Sequence, residues 1–262
     1  MTIFTKLWQQ YTSQNPRALS IYQGFLDQGE NIVNDHIAIR TVSDNRVNID
    51  VLSKPFFELG YEAKGNYNFE NKKLTAKHFE LADPIAPKVF ISQLRLDDFS
   101  EKLQTILHEC ISKIPEHILL AEDLVCSGNH WQPLSYAVYQ NLLEESEYAA
   151  WFYAFGFCAN HFTVNINQLK NYSDVTDVNQ YLKNTGFELN SSGGEVKGTP
   201  ADLLEQSSTM AEPIDLDFVE GTQTIPSCYY EFAKRYPDAN GNLFQGFVAG
   251  SADKIFESTD RK

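Results

Sequence analysis

Residues 31–42 read NIVNDHIAIRTV, and from position 160 the chain reads NHFTVNIN. In the first stretch Ile37 and Ile39 alternate with His36, Ala38 and Arg40; in the second, Phe162, Val164 and Ile166 alternate with His161, Thr163 and Asn165. A period of two marks a half-buried strand, apolar on one face and polar on the other. The two stretches share an Asx-His-Φ-x-Φ pattern, with His161 following His36 by 125 residues.

Each stretch opens the same order of elements. After the first come a short helix over 46–59, restarted at Pro55 and stopped at Gly60, and strands over 61–69, 73–81 and 88–94, with Glu70-Asn71 as a turn. After the second come a helix near 173–184, Gly186, strands across 187–198, 213–220, 224–234 and 243–249, and a short closing helix. Such repetition points to a duplicated module. The expected fold class is α+β: two related βαβββ-type modules with mostly antiparallel sheet, packed as a single compact unit over 1–262. The N-terminal module covers approximately 1–134 and the C-terminal module 135–262.

Helices complete this frame. Phe4, Leu7, Trp8 and Tyr11 share one helical face, as do Leu19, Tyr22, Phe25 and Leu26, with a break at Asn15-Pro16. Residues 98–114 and 135–147 are helical by the same criterion, 117–124 more weakly so. Residues 126–134 are a loop, and 148–157 fit either a helix or a strand.

Composition removes several classes of function. Lys and Arg number 21 against 35 Asp and Glu, a net charge of −14, so a nucleic-acid backbone is repelled. No apolar run reaches the ~18–20 residues of a membrane span, and the first residues lack the apolar core of a secretion signal. Cys110, Cys126, Cys158 and Cys228 are scattered and form no CxxC, so buried reduced thiols in a cytoplasmic protein are expected.

The polar strand faces carry the chemistry. His36 and His161 each lie on one, and in IPSCYYEFAKR (225–235) Tyr229, Glu231 and Ala233 face away from Tyr230 and Phe232. Two imidazoles and one carboxylate make the facial triad of a non-haem Fe(II) site, and would equally serve catalytic Zn2+ or Mn2+. Arg40, one of six arginines, lies two same-face positions beyond His36, an expected ~6–7 Å. It suits a clamp on the carboxylate of a metal-bound substrate; a structural ion pair is the alternative. His78 and Glu80 read as second-sphere groups, Glu80 as the degenerate counterpart of Glu231, and Tyr229 joins them as a possible supporting residue. His108 and His117 read as surface residues and His130 as a loop residue. The polar run EQSSTM (205–210) demands no catalytic role, and no P-loop, GxSxG or GxGxxG in a strand–helix setting is present.

The stretches DHIAIR (35–40), KVFISQL (88–94), YAAWFYAFGFCANHFTVNIN (148–167), LLEQSSTMAE (203–212), IPSCYYEFAKRY (225–236) and LFQGFVAGSADKIFESTD (243–260) together resemble the DUF1338 family. That family is associated with 2-oxoadipate dioxygenase/decarboxylases of vicinal-oxygen-chelate-like fold. The resemblance implies Fe(II) held by His36, His161 and Glu231, Arg40 as the carboxylate-binding arginine, and Gly250 and Ser251 on a C-terminal loop near the substrate. It also implies the reaction of a 2-oxo acid, foremost 2-oxoadipate, with O2 to give 2-hydroxyglutarate and CO2. A 2-oxo acid can chelate iron through its keto and carboxylate oxygens and leave a position for O2. Two rival readings are a redox-neutral metal-dependent isomerase or hydrolase of the same fold, and a small-molecule-binding protein without catalysis.

Overall fold

Helix α1 (Ile3–Gln14) begins where the Thr2 hydroxyl accepts from the Thr5 N–H, and Asn15 at its end caps α2 (Pro16–Asp27) by accepting from the Ala18 N–H. Pro16 stands in the first turn of α2, where its missing N–H costs nothing. The computed structural model describes residues 1–259, leaving out the side chains at positions 249, 252, 253, 256 and 257. Leu7, Tyr11, Ala18, Ile21 and Phe25 of these two helices are buried, with the Trp8 and Tyr11 rings each 5.0 Å from that of Phe162. The apolar side of the central strands thus packs on helices, as the alternation predicts.

The strands are β1 (Asn34–Val42), β2 (Glu62–Phe69), β3 (Leu74–Glu80), β4 (Lys88–Leu94), β5 (Ala159–Asn165), β6 (Lys197–Thr199), β7 (Leu204–Ser208), β8 (Pro213–Phe218), β9 (Gly221–Pro226) and β10 (Tyr229–Arg235). Eight form one sheet in the order β2-β3-β4-β1-β5-β10-β7-β6, and β8 and β9 form a separate hairpin. Within each half the first strand runs parallel to the last, β1 with β4 and β5 with β10; the other neighbours are antiparallel. The first strands meet at the centre, where His36 pairs with Thr163 and His161 with Ala38, the reciprocal register of a local two-fold. Short helices α3 (Ile49–Leu52) and α4 (Lys54–Glu58) follow β1, and after α5 (Glu101–Ser112), α6 (Glu116–Leu119), α7 (Tyr136–Glu145) and α8 (Glu147–Phe155), helix α9 (Val175–Asn184) follows β5.

Four local expectations are corrected or resolved. Residues 148–157 are mostly helix: Ser146 caps α8 by accepting from the Ala149 N–H, and Gly156 ends it at φ +66. A Cβ there would lie 2.3 Å from the Gly128 carbonyl oxygen, so only glycine permits that turn. Of 187–198 only Lys197–Thr199 begins a strand, because Gly193 and Gly194 at positive φ bend the chain before it. The run 224–234 is two strands, divided where the Ser227 N–H turns to the Glu212 carbonyl. Residues 243–248 form no strand, since Arg235 takes up the carbonyls of Phe244 and Gly246 (3.0 and 2.8 Å); helix α10 (Ala249–Phe256) follows.

Candidate metal centre

Same-face positions of β1, β5 and β10 converge on one face of the sheet. His36 pairs with Thr163, which pairs with Glu231, and Ala38, His161 and Tyr229 fill the adjacent row. His36 Nε2 lies 3.5 Å from Glu231 Oε1, and His161 Nε2 lies 3.2 Å from Glu231 Oε2. One ligand atom from each of the three residues falls within 4.8 Å of the others, and all three side chains are buried. Among the described residues this is the only such group of His, Cys, Asp and Glu.

Both imidazoles are aimed by the residue before them. The register slips between Asn34 and His36 and again opposite His161, so Asp35 and Asn160 are bulged residues. The His36 Nδ1–H donates to Asp35 Oδ1 at 2.8 Å, and the His161 Nδ1–H donates to Asn160 Oδ1 at 3.0 Å. Each Nε2 is then left as an acceptor on the central side, that of His36 taking a hydrogen bond from the Thr163 hydroxyl at 3.1 Å, the tautomer that metal-binding histidines require. Asp35 is in turn gripped by Arg235 through two short contacts, Nε at 2.6 Å and Nη2 at 2.8 Å. The repeated Asx was legible in the sequence as a sign of duplication. Its second meaning, a hydrogen-bond acceptor for the ligand, needed the bulge.

The electrostatics fit a cation. Burial lowers the pKa of His36 and lowers that of His161 well below the usual value, so both imidazoles are neutral at pH 7. Burial also pushes Glu231 up to about 8, against a hydrogen bond from Gln206 Nε2 at 2.5 Å. Asp35 goes the other way: burial opposes its charge, but Arg235 and His36 hold it well below the usual carboxylate range. Glu231 Oε2 is buried without a hydrogen-bond donor. Two neutral imidazoles and an under-satisfied carboxylate are the donor set of a divalent metal with open positions, so the residues fit the group expected there.

Of the other expected residues, Arg40 is fully buried, two residues along β1 from Ala38, the partner of His161. Four residues of strand, about 13 Å at the Cα atoms, separate it from His36, twice the expected distance. Its Nη1 donates to Glu147 Oε1 at 2.8 Å and its Nη2 to Thr259 Oγ1 at 3.3 Å. The guanidinium lies 4.8 and 4.9 Å from the ring centres of Tyr148 and Trp151. His78 is engaged at both nitrogens, by Tyr67 (2.8 Å) and Glu80 (2.7 Å), and the Phe247 ring stands 4.8 Å from His36 and 5.2 Å from His78. The pairing of Glu80 with Glu231 is corrected by the topology. β4 is the counterpart of β10, and superposing His36↔Lys88 on His161↔Tyr229 sets Phe90 in the place of Glu231. Tyr229 stacks on His161 at 4.6 Å. Gly250 is exposed and Ser251 lies against Gly198; neither lines the pocket over the ligands. His130, in the loop, meets the Ser127 hydroxyl at 2.8 Å.

That pocket, about 20 Å³, is lined by the three candidate ligands with Phe90, Gln206, Phe247 and Ile255. Gln206, Arg235 and Phe247 escaped the sequence reading. Gln206 belongs to EQSSTM, a polar run with no apolar alternation to mark its strand, and Phe247 lies in a segment whose sequence predicts a strand that does not form.

The family model for 2-oxoadipate dioxygenase/decarboxylase matches residues 3–242. A curated relative from Oryza sativa subsp. japonica, "2-oxoadipate dioxygenase/decarboxylase, chloroplastic/amyloplastic", is 35% identical over 98% of this chain and 78% of its own length. The crystal structure of the hydroxyglutarate synthase of Oryza sativa in complex with 2-oxoadipate has a TM-score of 0.89 at 33% identity, over 98% of this chain and 90% of that one. A Shewanella frigidimarina protein described as a candidate hydrolase also scores 0.89, at 53% identity over 94% and 96% of the two chains. The fold is of vicinal-oxygen-chelate type.

Proposed function

The chain belongs to the 2-oxoadipate dioxygenase/decarboxylase family, and from that membership we propose that it converts 2-oxoadipate and O2 to 2-hydroxyglutarate and CO2 at an iron(II) centre. It is an enzyme of the dioxygenase/decarboxylase type. The observation that carries the reading is the convergence of His36, His161 and Glu231 from three adjacent strands. Iron(II) held there supplies the redox chemistry that couples O2 to loss of CO2 from a 2-oxo acid.

The chain's own residues do the rest. His36 and His161 enter as neutral ligands, with Asp35 and Asn160 fixing their rings. Glu231 gives up its proton when a cation arrives, and Gln206 holds one of its oxygens. Phe90, Phe247 and Ile255 wall the pocket and keep water from the reacting carbons. Arg40 lies four residues along β1 from His36, on the same strand face. A 2-oxo dicarboxylate has a second carboxylate, and Arg40, from that face, is the cation for it. No helix among the described residues is long and apolar enough to cross a membrane. The four unpaired cysteines suit a reducing compartment such as the cytoplasm.

The likeness to a candidate hydrolase keeps a redox-neutral reaction as the second reading. Oxygen uptake and CO2 release by the iron-reconstituted protein separate the two. One O2 consumed per CO2 released from 2-oxoadipate is expected, whereas turnover without oxygen uptake would overturn the proposal.

A further inference from the structure

Tyr229 is fully buried, and its hydroxyl has no hydrogen-bond partner among the described residues. A buried phenol left unmatched is costly, and such a group in a native site calls for a partner that arrives later. Orphan status alone does not decide the matter, because the neighbouring Tyr230 hydroxyl is unmatched too. The face decides it. Tyr230 points to the helix side, among Trp8 and Tyr11, whereas Tyr229 shares the ligand face with Glu231 and pairs in register with His161.

Along that face the row Ala38–His161–Tyr229 lies between the row of His36 and Glu231 and the position of Arg40. The Tyr229 ring stacks on His161 at 4.6 Å and 25°, which holds it without help from the hydroxyl. Trp151 ties the two ends together. Its ring lies against the Arg40 guanidinium, and its N–H donates to the Ser227 carbonyl, two residues before Tyr229, at 2.7 Å. Tyr229 thus stands in the row between the His36–Glu231 row and the position of Arg40, on the face that all of them share.

We propose that the Tyr229 hydroxyl is a second hydrogen-bond donor, beside Arg40, to the remote carboxylate of the substrate, and so selects 2-oxo dicarboxylates over 2-oxo monocarboxylates. This rests on the 2-oxo-acid reading above. A site built to hydrogen-bond a group rejects the analogue that lacks it far more strongly than an apolar pocket can.

Tyr229→Phe keeps the ring and removes only the donor. Anaerobic calorimetry of the metal-loaded protein compares 2-oxoadipate with 2-oxohexanoate, which has the same chain and no second carboxylate. The variant should bind 2-oxoadipate roughly 10-fold to 100-fold more weakly, the range for a hydrogen bond to a charged group, with 2-oxohexanoate affinity and metal content unchanged. Its unfolding midpoint without substrate should equal or exceed that of wild type, since the hydroxyl satisfies nothing in the protein; a purely structural hydroxyl predicts a lower midpoint. Equal effects on the two acids, or none, would overturn the assignment alone. Wild-type protein that binds neither acid would refute the 2-oxo-acid reading and the assignment with it.

Discussion

The two halves of the site differ at one atom, and exchanging it is an informative perturbation. His36 is held by a carboxylate, Asp35, and His161 by an amide, Asn160. Asp35→Asn makes the first half chemically like the second. The amide oxygen can still accept from His36 Nδ1–H, so ligand orientation survives. Arg235 does not fare so well. Its guanidinium meets Asp35 at 2.6 and 2.8 Å with side-chain exposures of 2% and 0%, so the substitution strands a buried cation. Breaking such a pair costs about 3–5 kcal/mol, a fall in melting temperature on the order of 10 °C for a chain of this size. Asp35→Ala loses the same pair and also the acceptor for His36, and metal affinity should drop by roughly 10–100-fold. Urea unfolding and competition titration with a chromophoric chelator measure the two quantities on the same preparations. The reasoning fails if Asp35→Asn is within about 1 kcal/mol of wild type, below the cost of a stranded buried charge, or if both variants bind metal equally well. The wild-type contribution should also be acid-sensitive in one direction. Because the folded pKa of Asp35 is depressed, its stabilisation is complete above about 4 and lost as pH falls below that.

Further outcomes follow from the same geometry. His36→Ala, His161→Ala and Glu231→Ala should each lower metal content and activity while circular dichroism stays near wild type; a variant with full metal and turnover removes that residue from the triad. Glu80→Gln should keep its metal, because His78 and Glu80 bond to each other and stand behind Phe247, and metal loss equal to that of Glu231→Ala would contradict this. In metal-free protein Glu231 holds its proton up to about 8, whereas the unfolded chain releases it near 4.5. Metal-free stability should therefore fall as pH rises between those values and metal affinity should rise, both readable by melting and titration across pH 5–9. Arg40→Lys should retain metal but lose about 2–4 kcal/mol in kcat/KM for 2-oxoadipate. Unchanged efficiency in a stable, metal-loaded variant would leave Arg40 as the structural partner of Glu147.

What the sequence by itself determined is local in origin. Side chains alternate along a strand for steric reasons that need no tertiary partner, so the shared face of His36, Ala38 and Arg40, and those of His161 and Glu231, could be read residue by residue. The duplicated order of elements was legible for the same reason, and with it the three candidate ligands that the fold brings together. Distances across the fold were not. Arg40 lies on the expected face, yet its place at Glu147, Tyr148 and Trp151 depends on how α8 packs over β1, 107 residues away in sequence for the Arg40–Glu147 contact. Glu80 seemed the partner of Glu231 until the pairing of β4 with β1 set Phe90 in that place. The bulges at Asp35 and Asn160 follow from register between strands, and register is set by neighbours that no single stretch contains. The segment at 243–248 shows the limit most plainly. Its apolar alternation resembles a strand, but its carbonyls go to the Arg235 side chain, which brings Phe247 over His36. Backbone groups take whichever partner the tertiary structure brings within reach, and that competition is decided only when the chain has folded.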